Sequence, residues 1–292
     1  MTIQSRPSEG RLGIIAGSGL LPLYVAEAAR AAGENPLIIG LKNENEGGFE
    51  DFQRSVIGVG DMAGLKALLS RNDIRRVVLS GGVKRRPEWR EIKPTLATLI
   101  KLPSVVRTLL SGGDDAVLQM VIKLIEAHGA HVIGAQAVAP GLLAETGALG
   151  DHVPGEEDLR DIAKAAEAAM ALGSLDVGQG AVSVGGRIVA LEGVEGTDQM
   201  LARVASLRAE GRISPRRKGV LVKMCKPNQD VRADLPTVGR STVIHAKQAG
   251  LAGIAVEAGR ALVLERDAMI AAANESGLFV CGIDRGLTGW GL

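Results

Sequence analysis

The stretch from Leu12 to Leu41 constrains the fold more than any other. A short apolar run, Leu12 to Ala16, ends in Gly17-Ser18-Gly19; an alanine-rich segment, Leu20 to Ala32, closes at Gly33; a second apolar run, Pro36 to Leu41, comes next. Strand, glycine turn, helix and strand in that order make a βαβ unit, because two parallel strands need a long crossover and a helix supplies it. A sheet of this kind is buried on both faces, which suits continuous apolar strands. The pattern continues with Ser55 to Val59 and Arg76 to Leu79 as strands, a helix from Met62 to Ser70 between them, and a further strand at Val132 to Gly134. The predicted class is α/β, opening with a Rossmann-like parallel-sheet domain over residues 11–140 behind a disordered leader at 1–10.

Two glycine turns follow strands in this half, and ligands of open α/β sheets bind at the carboxyl ends of strands. Gly17, Ser18 and Gly19 are placed to offer backbone amides to a phosphate or ribose, although the same turn also serves simply to lead a strand into a helix. It is a poor dinucleotide fingerprint: Pro22 stands where a third glycine belongs, and the second strand ends Ile39-Gly40-Leu41-Lys42 with no acid placed for the ribose hydroxyls. The second turn, Ser80-Gly81-Gly82-Val83-Lys84-Arg85-Arg86, joins glycines to three cations and reads either as a phosphate contact or as a solvated basic turn.

The pattern changes past residue 140. With 292 residues the chain exceeds one ordinary core. Ala139 to Glu157 is rich in glycine and proline, and residues 141–157 are the expected linker. A helix from Asp158 to Leu172 then precedes a hairpin, Ala181 to Val184 and Arg187 to Glu192, turning at Gly185-Gly186. Further strands are expected at Gly219 to Met224, Gly253 to Glu257, Ala261 to Glu265 and Leu278 to Ile283, with helices from Thr197 to Glu210, Ser241 to Gly250 and Met269 to Ser276. The second domain, 158–284, is thus an α/β unit on a mixed sheet.

Between two of those strands lies KPNQDVRADLPTVG, Lys226 to Gly239. Pro227 and Pro236 bracket it and argue against regular helix or central strand. Asp230 and Asp234 are hard oxygen donors suited to a divalent cation, and Lys226 and Arg232 suit phosphate oxygens. The plainer alternative is that these charges pair with each other to tie the loop down. Asn228, Gln229 and Thr237 crowded among them favour a site over a merely solvated loop. Upstream, Glu192 ends an apolar strand, and Thr197 and Asp198 open a helix, where capping accounts for one of the two. Asp114 and Asp115 likewise open an amphipathic helix whose dipole accounts for one acid.

Composition removes several classes. Aromatics at 2% leave few stacking platforms and the net charge of +1 gives no overall attraction to a polyanion, so nucleic acid is not an expected partner. Cys225 and Cys281 cannot make a tetrahedral metal site alone and fit a reduced cytoplasmic protein. No stretch reaches the roughly 20 apolar residues of a membrane span, so any membrane contact is peripheral. The segment TLATLIKLPSVVRTLL, 95–110, reads as buried helices or as an apolar wall for an acyl chain or membrane surface.

Taken together, IAGSGLLP, SGGVKR at 80–85, SGGDDAVLQ at 111–119, LEGVEGTDQML at 191–201 and KPNQDVRADLPTVG at 226–239 resemble the LpxI family of UDP-2,3-diacylglucosamine pyrophosphatases, from Arg11 to Ile283. The resemblance implies Mg2+-dependent hydrolysis of UDP-2,3-diacylglucosamine to 2,3-diacylglucosamine 1-phosphate (lipid X) and UMP, in lipid A biosynthesis of Gram-negative bacteria. It implies a cytoplasmic enzyme associated peripherally with the inner membrane, with substrate held between its domains; a homodimer is left open. On that reading the catalytic candidates are Asp234, Asp230, Lys226 and Arg232, and the Mg2+ ligands Asp234 and Asp230 with Glu192 or Asp198. The substrate-binding candidates are Gly17, Ser18, Gly19, Ser80, Gly81, Gly82, Lys84, Asp114, Asp115, Glu192, Thr197, Asn228, Gln229 and Thr237. Two other readings stand beside it: a non-catalytic nucleotide-sugar or lipid-carrier protein, and a nicotinamide-dependent oxidoreductase, the latter weakened by the missing acid after the second strand.

Overall fold

Apolar runs in the first third of the chain become strands buried on both faces. The computed structural model describes residues 10–44, 47–83 and 113–286. Two units emerge: Met1–Gly141 together with Asp230–Asp234, and Leu142–Gln229 together with Leu235–Leu292. Three sequence expectations lie outside the described residues: the leader up to residue 9, Lys84 with the basic run after it, and the segment 95–110.

In the first unit, β1 (Arg11–Ala16), β2 (Leu37–Leu41), β3 (Arg54–Ile57), β4 (Ile74–Ser80) and β5 (His131–Ile133) alternate with α1 (Leu21–Ala31), α2 (Met62–Arg71) and α3 (Asp114–Glu126), and a short α4 (Ala135–Val138) follows. The sheet order is β3-β2-β1-β4-β5 and every pairing is parallel. Ile14, Leu37, Ile38, Ile39, Val77 and Val78 are fully or almost fully buried, an aliphatic core from an aromatic-poor sequence. At the edge, β3 alternates between exposed and half-buried residues, as expected of a strand with one neighbour. Asp61 caps α2 by accepting from the Gly64 amide. Because β1 has β2 on one side and β4 on the other, the winding direction reverses there, and the loops after β1 and β4 meet at the switch point.

The second unit holds β6 (Gly147–Ala148), α5 (Glu156–Ser174), the hairpin β7 (Gly180–Val184) and β8 (Arg187–Leu191), α6 (Gly196–Ala209), β9 (Val220–Lys223), β10 (Thr237–Val238), α7 (Arg240–Gln248), β11 (Gly253–Glu257), β12 (Leu262–Val263), α8 (Arg266–Ser276) and β13 (Phe279–Ile283). Its main sheet runs β6-β13-β11-β9-β7-β8, with β9, β11 and β13 parallel and antiparallel strands at both flanks. Alternate residues of each central strand face opposite layers. Val220, Val222, Ala255 and Cys281 pack with Ile162, Ala165 and Ala169 of α5; Leu221, Ile254 and Val280 pack with Met200, Val243 and Met269 of the other three helices. The sheet is thus mixed, as the sequence predicts. One expectation changes: β12 lies outside this sheet and pairs with β10 in a separate two-stranded one, because the polypeptide after Pro236 is extended long enough to offer it a partner.

The hairpin turn carries two left-handed glycines, Gly185 (φ +60°) and Gly186 (φ +78°). A buried carboxylate on α5 holds it: Asp161 accepts from Ser183 Oγ at 2.6 Å and from the Gly185 and Gly186 amides at 2.9 and 2.7 Å. Asp161 therefore serves the fold.

Candidate active site

The parallel strands of the second unit end in a rim of charged side chains. Lys223, the last residue of β9, is buried and donates from Nζ to the Thr237 carbonyl at 3.1 Å. Beyond it the Cys225 amide donates to Glu257 Oε2 at 3.0 Å, and Glu257 closes β11. Arg285, two residues past β13, donates from Nε to Glu257 Oε1 at 2.7 Å and from Nη2 to Glu257 Oε2 at 3.1 Å and to the Cys225 carbonyl at 2.9 Å. Glu257 first, and to a lesser degree Cys225, raises the Arg285 pKa above its ordinary value, against the opposing effect of burial.

The loop then turns tightly. Gln229 Oε1 accepts from the Lys226 amide at 3.1 Å and from Cys225 Sγ at 3.4 Å, and the Gln229 amide donates back to the Lys226 carbonyl at 3.2 Å. Lys226 is only 11% exposed in its side chain, with Nζ 2.6 Å from Asp176 Oδ1. Gly173 of α5 makes room, since a Cβ there would stand 3.2 Å from Lys226 Cα. Asn228 is exposed and Gln229 buried.

Residues 230–234 group with the first unit instead. Ala233 packs on that unit's core, the Val231 carbonyl accepts from Gln136 Nε2 at 3.1 Å, and Arg232 Nη1 donates to Glu126 Oε1 at 3.0 Å. Asp230 Oδ1 accepts from the Arg232 amide and Nε at 3.0 and 2.9 Å, and Oδ2 from Nη2 at 2.7 Å. The Arg232 hydrogen bonds hold the Asp230 carboxyl below its usual range although burial opposes them, and the Asp230 bond raises Arg232 in turn. For these two charges the structure shows the plainer alternative, pairing within the loop. Asp230 and Arg232 pair with each other, since two residues of spacing in a tight turn bring carboxylate and guanidinium face to face. Asp234 is exposed at the end of that turn, its amide 3.4 Å from the Asp230 carbonyl.

The remaining candidates scatter. Glu192 is buried, accepting from Thr197 Oγ1 at 2.5 Å and from the Gln179 amide at 3.2 Å. Asp198 lies 3.0 Å from His245 Nδ1, off the line of a good hydrogen bond. Thr237 turns its hydroxyl to the Leu235 carbonyl. In the first unit, Gly17 and Ser18 amides donate to the Ser80 and Gly82 carbonyls, and the Gly82 amide returns to Ser18. Two amides expected to face a phosphate are thus used to zip the two turns together. Among the described residues no such bond takes the Gly19 amide, and Ser80 Oγ, in a buried residue, has no partner. Asp114 and Asp115 open α3.

Among the described residues no group of three or more His, Cys, Asp or Glu is arranged to hold a metal ion. A cavity of about 530 Å³ opens at the opposite, amino-end rim of the second unit, beside His152, Asp158, Arg217 and Phe279, and none of the candidates lines it. Burial, and secondarily Asp158, pushes the Cys281 thiol up to about 12, so it is inert. Sequence reasoning missed Asp176, Glu257 and Arg285. Glu257 carried a usable signal, an acid closing the apolar strand GIAVE, as Glu192 closes its own.

Parallel strands ending in glycine turns in one unit and in a buried charge network in the other define a two-unit α/β protein. Residues 11–142 match the LpxI N-terminal domain and residues 145–281 the LpxI C-terminal domain. The chain is 40% identical over 276 residues to UDP-2,3-diacylglucosamine pyrophosphatase LpxI of Caulobacter vibrioides, covering 94% of this chain and 98% of that protein. It belongs to the LpxI family. The crystal structure of Thermus thermophilus UDP-glucose 4-epimerase with NAD aligns over 96% of this chain and 88% of its own at 11% identity, with a TM-score of 0.29. No helix among the described residues is long and apolar enough to cross a membrane.

Proposed function

We propose that the protein hydrolyses the pyrophosphate of UDP-2,3-diacylglucosamine to 2,3-diacylglucosamine 1-phosphate and UMP, with Mg2+, as a step of lipid A biosynthesis at the cytoplasmic surface of the inner membrane. The observation that carries this reading is the near-full-length identity to the Caulobacter vibrioides pyrophosphatase. In the reaction, water oxygen bonds to the sugar-side phosphorus, the bond from that phosphorus to the bridging oxygen breaks, and UMP leaves with the bridging oxygen.

Phosphoryl transfer asks chiefly for positioning and for charge placed where charge develops. Asp234 takes the leading role, because it is exposed where the chain leaves the turn and straightens ahead of Pro236. It orients the attacking water and accepts its proton. Lys226 and Arg232 are cations aimed by Asp176 and by Asp230 with Glu126, and aimed cations offset the charge of the departing phosphate better than mobile ones. A Mg2+ ion bound with a diphosphate needs only one or two protein carboxylates, and Asp234 fits that demand where a ready-made cage is lacking among the described residues. Bound there, the ion would neutralise charge on the phosphoryl oxygens.

Incubating the protein with UDP-2,3-diacylglucosamine and Mg2+, and in parallel with EDTA, tests the proposal. Release of UMP that EDTA stops is the expected result. Substrate retained on the protein but recovered intact would mark a carrier instead. In 18O-labelled water the label is expected in the sugar phosphate, and label in UMP would move the attack to the other phosphorus.

A further inference from the structure

The Glu257–Arg285 pair grips the two peptide groups that flank Cys225. The parallel ladder between β9 and β11 ends with Lys223 opposite Val256, so no strand neighbour remains for Cys225. Its N–H goes instead to the Glu257 carboxylate and its C=O to the Arg285 guanidinium, and those two side chains bind each other through two further bonds. The pair thus ties together the ends of three adjacent parallel strands and fixes the direction in which the chain leaves β9. From Cys225 the constraint passes to Gln229, whose carboxamide holds the Lys226 amide and the Cys225 thiol. Glu257 is 2% exposed, a carboxylate kept out of water and therefore costly to strip of its partner. Arg285 lies beyond the residues matching the LpxI C-terminal domain, 145–281.

We infer that Glu257 and Arg285 are positioning residues for the loop that carries the chemistry: together they clamp the backbone on both sides of Cys225 and so set where Lys226 and Asn228 are presented. The inference rests on the hydrolase reading above for its kinetic consequence, though the clamp itself does not. Arginine is needed because the task is bidentate. Nε and Nη2 span both carboxylate oxygens while Nη2 also reaches the Cys225 carbonyl, and a lysine ammonium is a single point charge that cannot do all three. Two ends of the second unit's sheet then have different uses: Asp161 anchors the hairpin turn, and Glu257 with Arg285 anchors the turn into the loop.

The test compares the full-length protein with its Arg285→Ala and Arg285→Lys variants. Steady-state hydrolysis of UDP-2,3-diacylglucosamine is measured with and without added methylguanidinium. Hydrogen exchange of the peptide spanning 224–229, and alkylation of Cys225 against Cys281 resolved by mass spectrometry, are followed alongside. For Arg285→Ala the expected fall in kcat is about 10- to 100-fold, the usual cost of losing a partner that orients a functional group, with KM changed by less than about twofold. Methylguanidinium restores part of the rate, and exchange at 224–229 and Cys225 alkylation rise while Cys281 stays protected. Arg285→Lys falls between, and it decides the matter if Arg285→Ala does not fold. Wild-type kcat with unchanged exchange in either variant overturns the inference, and so does a raised KM at unchanged kcat, which would make Arg285 a substrate-binding group. If the wild-type protein itself releases no UMP, the hydrolase reading fails, and unaltered exchange and alkylation then count against the clamp on their own.

Discussion

Both units close a set of parallel strands with turns at the carboxyl ends, and they build those turns from different materials. In the first, glycines bring two backbones together: Gly17 and Ser18 bond to Ser80 and Gly82, with hardly a charged group involved. A Cβ on Gly17 would stand 2.3 Å from the Gly82 carbonyl oxygen, and one on Gly81, at φ +84°, 2.5 Å from that of Ser18. In the second, side chains do the holding: Glu257, Arg285, Gln229, Lys226 and Asp176 bind the loop where strand pairing runs out. The backbone zipper tolerates no side chain at Gly17 or Gly81 but is indifferent to charge. Side-chain clamps tolerate backbone variety but depend on every partner being present.

The sharpest way to break this contrast is Asp234→Ala, at the end of the charged loop. Turnover is expected to fall by about 100-fold or more with substrate binding retained, as read by kcat alongside equilibrium binding. A variant of full activity would take the loop's carboxylate out of the chemistry. Next in size is Gly81→Ala in the backbone zipper, where a left-handed φ and a close approach coincide; unfolding in urea should show a loss of about 3 kcal/mol. Wild-type stability in that variant would mean that the zipper contributes little.

A smaller effect is expected for Asp176→Asn, which keeps a residue tolerant of the positive φ of +54° but removes the charge facing Lys226. The cost should be about 2 kcal/mol in the same unfolding experiment, with kcat lowered as Lys226 loses its aim. The least is expected of Asp230→Asn, and its signature is pH dependence. Arg232 depresses the Asp230 pKa below its ordinary 3.8 in the folded protein, so the carboxylate adds stability above that ordinary value and loses it as pH falls through the lower, folded one. The stability difference between wild type and variant should therefore be present at neutral pH and shrink to nothing in strong acid. A difference that stays constant across that range would show that the Asp230–Arg232 pair is not its origin.

How legible the site was depends on which residues are asked about. The glycine turns could be placed from the sequence because a glycine between an apolar run and a helical pattern has a local cause. Their use was harder to foresee: nothing in GSG or SGG says that the amides bond to each other instead of a phosphate. Asp230 and Arg232 stand out in the sequence as charged neighbours, and their pairing with each other is the plainer of the two readings it allows. Arg285 had no role in the sequence at all, since its meaning comes from Glu257, 28 residues before it, and from Cys225, 60 residues before it.

Order and type of the longer elements, the change from a parallel to a mixed sheet, and the hairpin at Gly185-Gly186 came from the chain alone, because apolar periodicity and turn glycines act over a few neighbouring residues, whereas the short strands Gly147–Ala148 and Thr237–Val238 did not. Which charges would meet was settled only by folding. Lys226 finds Asp176 across 50 residues and Arg232 finds Glu126 across 106, and such partners are chosen by how distant helices and strand ends pack, a property that no local pattern of residues encodes.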